Sequence, residues 1–430
     1  MMRALAIGLL VAVAASSTTV RTTAELREVL DSAVSGVYEI ALPAGSHFNL
    51  NGSALSVAAG VALTLRALPG GPAPTIDAMY RTPIFMVQSR GRLSVHGVRL
   101  QHGRSQCFYV GHGVGRLVVC TGGCVTVRDH GYVELRDSIL WRCVATNHYG
   151  GDALGGGLYV GNGNVTLVGG EISGCSAFAT GHNASGFGGA VAVLGGSLTL
   201  TNTRVRDCAT FSGSGANANA FGGGLYSQQA DVTLVESTIS GCSANAVGGG
   251  GAVGGAVFSN GGRLTLTKTS VHDSYVVNSG SGGVRYAYGG GVSSMSADVT
   301  LMDSRISGCF ANTTGDGRAN GGAVFSFLGN LTLTNVSVHD SRAFASGSGY
   351  EANAHGGGVY SLSSTATLVD STISGCSAIT TGDSGAMGGG VYSDNSRLSM
   401  TNTSVRDSSA FASGSGGLAH AEGGGVHNSV

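Results

Sequence analysis

The chain has 430 residues, 75 of them glycine, with 11% charged residues and a formal net charge of −1. Lys268 is its only lysine, so the charge excludes the basic footprint of a nucleic-acid or anionic-membrane binder. Hydrophobic residues make up 42% and recur with a fixed period, which excludes a disordered glycine-rich chain.

Residues 1–16 carry the pattern of a secretory signal: Arg3, an apolar run from Ala4 to Val13, and Ala12-Val13-Ala14 as the cleavage site. The span 17–34 predicts a short amphipathic helix, with Thr22 or Thr23 as cap and Leu26, Val29 and Leu30 on one face. Its expected role is to cover the open end of a rod. Irregular strands follow over 35–121. Pro43, Pro69, Pro72, Pro74 and Pro83 all fall there and none in the later repeats, where strand N–H groups are needed for ladders.

From 122 to 430 the sequence repeats. Starts of the form Gly-Gly-x fall at Gly122, Gly155, Gly188, Gly222, Gly254, Gly289, Gly321, Gly356, Gly388 and Gly423, and every second start from Gly155 lies 67 residues on. The clearest unit has Gly222-Gly223-Gly224-Leu225-Tyr226-Ser227, then Val232-Thr233-Leu234, then Ile239-Ser240-Gly241-Cys242, then a loop of Ser, Ala, Asn and Gly. Alternation in the first segments is the period of strands. One such unit buries too little to fold alone, so units must stack. The predicted fold is all-β: a single right-handed parallel β-helix, three strands per coil of about 33 residues, with the N-terminal helix as cap. The double period spaces like charges. Asp207, Asp273, Asp340 and Asp407 alternate with Gly174, Gly241, Gly308 and Gly375, which keeps each acid about 9.6 Å from its copy.

The Gly-Gly-Ala-Val runs at 188–191, 254–257 and 321–324 resemble the β-helix passenger domains of polymorphic outer-membrane proteins, and the stretch from Thr22 to Gly45 resembles the entry of pectate-lyase-like β-helices. The resemblance implies the fold and a surface or secreted location. It departs from that family's Phe-x-x-Asn, which here is Ile/Val-x-x-Cys/Ser, and the sequence has no counterpart of the family's translocator barrel.

Nine cysteines suit a secreted protein. Cys143, Cys175, Cys208, Cys242, Cys309 and Cys376 share one coil position and read as a buried stack, in which neighbouring coils also stand within disulfide range, whereas Cys107, Cys120 and Cys124 are the better disulfide candidates. Glycoside cleavage needs two carboxylates held in different environments, and the repeated aspartates have near-identical ones. Gly111-His112-Gly113 is a weak glycosidase-like match, and Val-His-Asp at 271–273 and 338–340 stands too far apart to share a metal. No catalytic residue, metal site or cofactor is expected, and no nucleic-acid partner.

Two surface arrays are candidates. Thr199, Thr201, Thr265, Thr267, Thr332 and Thr334 form an outward threonine face, which also raises ice binding. Tyr159, Tyr226, Phe258, Phe325, Tyr360 and Tyr392 form an aromatic column. If Leu225 and its equivalents point inward, these rings face solvent as a contact stripe; the alternative is an internal stack with the valines outward. The segments 177–187, 210–221, 276–288, 311–320 and 343–355 vary between coils and are expected to be loops, where recognition usually resides. The expected function is a non-catalytic adhesion or display scaffold for a cell-surface glycan or protein ligand. The alternative is a carbohydrate-binding or polysaccharide-degrading enzyme.

Overall fold

A computed structural model describes residues 17–110, 117–215, 217–280, 285–314, 316–347, 352–381, 384–413 and 419–429. The signal pattern at 1–16 and the Gly111-His112-Gly113 match lie outside them. The molecule is an all-β parallel solenoid of about 11 turns of ~33 residues with one short helix. That helix spans Thr23–Ser32; Thr22 caps it by accepting from the Glu25 N–H, and Leu26 and Leu30 are its buried side. Leu26 packs into the same core as Phe48, Leu55 and Val61 of the first turns.

One coil shows the plan. Leu225–Val235 lies in sheet A, Thr238–Ser240 in sheet B, Ser243–Ala246 in sheet C and Gly251–Val253 in sheet D. Sheet A bends midway, and in the early coils and again beyond residue 290 it is split into two strands per coil, as in Val125–Arg128 and Tyr132–Arg136 or Val292–Met295 and Asp298–Met302. Its residues pair strictly in register: Leu225 with Val257, Val232 with Leu264, Leu234 with Leu266. These side chains, with Ile239 and Val271 of sheet B, form one continuous core along the rod.

The three predicted strands of each coil are the two limbs of sheet A and the strand of sheet B, and the coil holds more than these. The segments taken as loops carry two further sheets, nine-stranded C and eleven-stranded D. They fold out and back as an arm with its own thin core of alanines: Ala220, Ala244, Ala246, Ala252, Val276, Ala287 and Ala311 form one cluster. Ala319, Ala343, Ala345, Ala354 and Ala378 form the next. Alanine allows the two sheets to lie close, and a Cβ placed on Gly186 of sheet D would already stand 2.7 Å from the Phe211 carbonyl oxygen of sheet C.

The repeated glycines make the neck of this arm. Gly222 has φ +61°, the left-handed region that favours glycine. Gly223 has no room for a side chain, since its Cβ would stand 2.3 Å from the Ser243 carbonyl carbon. The third position is looser and accepts Ala190, Ala256 and Ala323. It faces the cysteine corner of the core, where a Cβ on Gly224 would lie 3.3 Å from Cys242 Sγ.

This corner settles the cysteines. Cys124 holds a third-position site, and it pairs with Cys143 of the same coil (Cα–Cα 5.4 Å). Cys107 and Cys120 stand opposite each other in the antiparallel pair Gln106–Val110/Leu117–Thr121 and form a second disulfide. Cys143 is therefore bonded, not a member of the thiol stack. Cys175, Cys208, Cys242, Cys309 and Cys376 are free and buried. Burial pushes the Cys309 thiol up to about 12 and that of Cys376 to about 11, so both stay protonated and inert.

The 67-residue period has a steric cause beside the electrostatic one. Asp207, Asp273 and Asp340 turn the chain at positive φ, and each leans its carboxylate over the equivalent residue of the next coil. A Cβ on Gly241, Gly308 or Gly375 would meet that Oδ1 at 2.7, 2.7 or 2.6 Å. Each acid thus leans over the glycine of the next coil, and a side chain there would have to displace the carboxylate. At the preceding turn the neighbours answer chemically instead: Asn335 Nδ2 donates to Asp303 Oδ1 at 2.8 Å, and Asn402 Nδ2 to Asp370 Oδ1 at 2.6 Å.

Candidate contact surface

The aromatic column predicted as a solvent stripe is buried. Tyr226, Phe258, Phe325, Tyr360 and Tyr392 are 2–6% exposed, and Tyr159 is half-buried. Leu225 and Val257 on the opposite side of the same strands are buried too. Neither sequence alternative holds, because the arm folds back over the outer face of sheet A. Sheet D lays Phe187, Phe221, Tyr288 and His355 onto these rings: Phe187–Tyr226 centroids lie 4.9 Å apart, Phe221–Phe258 5.1 Å, Tyr288–Phe325 4.4 Å and His355–Tyr392 4.8 Å. The column is the glue between rod and arm. Desolvation pushes the Tyr226 and Tyr360 hydroxyls well up and that of Tyr288 to about 12, while it drives the His355 imidazole down to about 4.

The threonine array lies where expected. Thr199, Thr233, Thr265, Thr300, Thr332 and Thr367 pair in register on the outer side of sheet A. Thr201, Thr267 and Thr334 make the second rank, with Val235, Met302 and Val369 between them. All six predicted threonines are half-buried by their neighbours. The face is two columns wide, with Asp231, Arg263 and Asp298 on one border and Glu236, Lys268 and Asp303 at the turn on the other. A polar groove of about 620 Å³ runs beside it at the bend of sheet A, lined by Ser296, Asp298, Asn330, Ser363, Thr365 and Asn395.

The exposed aromatic surface is elsewhere, on the outer side of sheet C. Strands such as Ser176–Ala179, Ala209–Ser212 and Arg342–Ser346 alternate a buried small residue with an outward large one. In register this makes a column of Thr146, Phe178, Phe211, Asn245, Val277, Asn312, Phe344, Ile379 and Phe411. The neighbouring column includes Ser176, Ser243, Tyr275, Phe310, Arg342, Ser377 and Ser409. Phe178 and Phe211 stack at 4.7 Å, and the Arg342 guanidinium lies 4.9 Å over the Phe344 ring. Tyr275 is 39% and Phe411 55% exposed. The Ser-Ala-Phe-Ala pattern at 176–179 and 409–412 was the sequence signal for this face.

Sequence reasoning also missed one buried acid. Asp77 is 7% exposed and accepts from Gln101 Nε2 and the Met79 N–H at 2.7 Å and from His102 Nδ1 at 3.1 Å. Burial pushes its carboxyl up, but these bonds outweigh it and hold the group below its ordinary value. With its oxygens committed to the turn of the early coils, Asp77 is a structural anchor. Asp207, Asp273 and Asp340 are exposed at the second turn, where Arg206, His272 and His339 beside them pair with their carboxylates at 3.1, 2.9 and 2.7 Å.

No family model matches the chain, nor does any curated protein. Among solved structures it is similar to PfbA, a surface adhesin of Streptococcus pneumoniae, with 9% identity, 91% of this chain and 92% of that one covered, and a TM-score of 0.37. So loose a superposition transfers no property. No helix of the described residues is long and apolar enough to cross a membrane.

Proposed function

We propose that the protein is a secreted or cell-surface scaffold that works by contact, not by catalysis, and that the outer face of sheet C is its contact surface. The observation that carries this reading is a parallel sheet whose solvent face carries a row of aromatic rings. Such sheets are almost always covered on both faces. Here sheet D and the aromatic half of sheet A are covered; the threonine half of sheet A and the outer face of sheet B also meet solvent but carry mainly hydroxyl and charged side chains, whereas sheet C turns Phe178, Phe211, Tyr275, Phe344 and Phe411 outward. Phe178, Phe211 and Phe344 are half-buried by their neighbours and Tyr275 and Phe411 are exposed, and outward-facing apolar surface of this kind marks a site of interaction. Two disulfides fit an oxidising compartment. A rod built from little sequence information suits display at a distance from an anchoring point.

The test is binding of the purified protein to cells and extracellular matrix, beside a variant with Phe178→Ser, Phe344→Ser and Phe411→Ser. Loss of binding with unchanged circular dichroism supports the reading. Equal binding by both proteins, or hydrolysis or elimination of pectin, alginate or glucan by the wild type, overturns it.

A further inference from the structure

The geometry points to a linear, uncharged glycan as the occupant of the sheet C face, lying along the rod with its rings stacked on the phenylalanines. This rests on the contact reading above and names its ligand class.

Three properties of the face select this partner. The first is shape. Nine strands about 4.8 Å apart, each about 10 Å long, give a strip near 40 Å by 10 Å, or about 400 Å². A stable protein–protein interface takes about 800 Å² from each partner, so the strip is about half what a globular partner or a second rod needs. A narrow, extended chain matches it. An extended peptide is less suited, because peptides add to strand edges and this is a face whose N–H and C=O groups are already paired along the ladder.

The second property is chemistry. The face alternates rings with short hydrogen-bonding groups. Phe178 and Phe211 are followed by Asn245, whose Nδ2 is 3.0 Å from Ser243 Oγ, then by Tyr275 and Val277, then Phe310 and Asn312. A sugar ring offers an apolar C–H face and an equatorial rim of hydroxyls, and needs a flat ring beneath and amides or hydroxyls beside it. Ser176, Ser377 and Ser409 supply the same groups at the two ends.

The third property is charge. Among the described residues the ionised side chains of these two columns are Arg104, at the N-terminal end, and Arg342, which already lies over the Phe344 and Phe310 rings. The columns hold no row of cations for a polyanion and no acid, and the bordering Asp207, Asp273 and Asp340 are paired with Arg206, His272 and His339. The fixed coil spacing also sets an expectation about length: each added coil presents a further contact, so affinity rises with the number of sugars until the strip is covered.

The experiment uses the full-length protein and sized oligosaccharides of β-1,4-glucan, β-1,3-glucan, β-1,4-xylan and β-1,4-galactan, with hyaluronan as the charged comparison. Calorimetry should show binding to at least one neutral series, tightening at least tenfold from three to eight sugars. Phe178→Ser/Phe211→Ser/Phe344→Ser should weaken it at least tenfold with the melting temperature within a few degrees of wild type. Thr265→Ala/Thr332→Ala, on the other side of the rod, should leave it unchanged. Should the phenylalanine triple variant lose its fold, single Phe411→Ser replaces it, since that ring is 55% exposed and its removal leaves the core intact. Glycan binding that ignores the phenylalanines, or lacks length dependence, overturns the inference. So does binding of none of these glycans while a protein partner is captured through the same phenylalanines, which leaves the contact reading standing. Binding of nothing to this face sinks both.

Discussion

His355 offers a quantitative test of how rod and arm are joined. It sits in the column of sheet D that elsewhere holds Phe187, Phe221 and Tyr288, with its ring 4.8 Å from Tyr392 and 5.9 Å from Tyr360. Burial among these rings, reinforced by the charges of Arg318 and His427, lowers its pKa to about 4. In an unfolded chain it titrates near 6.5, so the native state binds fewer protons in the interval between. Stability contributed by the neutral ring is fully present above about pH 6.5 and is lost as the pH falls towards 4. A shift of about 2.5 units at about 1.4 kcal/mol each gives about 3 kcal/mol. A ring edge still reaches water, so this is an upper figure. His355→Phe, a side chain the column already accepts, removes the term. Urea unfolding followed by tyrosine fluorescence at pH 7.5, 5.5 and 4 should show the variant gaining on wild type by up to about 3 kcal/mol across that range. Near-equal losses on acidification in both proteins, or an imidazole NMR titration midpoint near 6.5, would refute the buried placement.

Three further outcomes follow from the packing. Phe258→Ala, which empties a site 2% exposed between Phe221 and Tyr226, should cost about 3–5 kcal/mol by denaturant unfolding. Gly308→Asp should destabilise by placing a side chain and a second negative charge against the Asp273 carboxylate, and adding Asp273→Gly should restore much of the loss; independent, additive effects in the double-mutant cycle would sink the steric account of the double period. Peptide mapping without reduction should yield Cys107–Cys120 and Cys124–Cys143, with Cys175, Cys208, Cys242, Cys309 and Cys376 alkylated only after unfolding. Rapid alkylation of Cys242 in the native protein would contradict its burial.

The sequence made the solenoid legible because Leu, Val and Ile alternate in sheets A and B at an invariant period, as in Val232-Thr233-Leu234. The arm was hidden because its inward residues are alanines. Ala177, Ala244 and Ala343 weigh little in a hydrophobic pattern and have low strand preference, and the Ser, Asn and Gly around them signal turns. That omission misplaced the aromatic surface. Alternation correctly sets Tyr226 on the side opposite Leu225, but only the unseen sheet D reveals that this side is covered. The Cys124–Cys143 pair was missed for a related reason. Cys143 follows the period of the buried stack, and only the fold brings a third-position residue against that corner. The register of the threonine ranks was legible, since in-register pairing carries sequence columns directly into space, but not that neighbouring side chains half-bury them.

The central claim is that rod and arm sandwich one aromatic layer and expose another. Hydroxyl-radical footprinting of the native protein with mass-spectrometric readout tests it residue by residue. Tyr275 and Phe411 should oxidise readily and half-buried Phe344 more slowly, while Tyr226, Phe258, Phe325 and Tyr360 should remain protected until the protein unfolds. Rapid oxidation of Tyr226, Phe258, Phe325 and Tyr360 together with protection of Phe344 and Phe411 would contradict the arrangement and return the contact surface to sheet A.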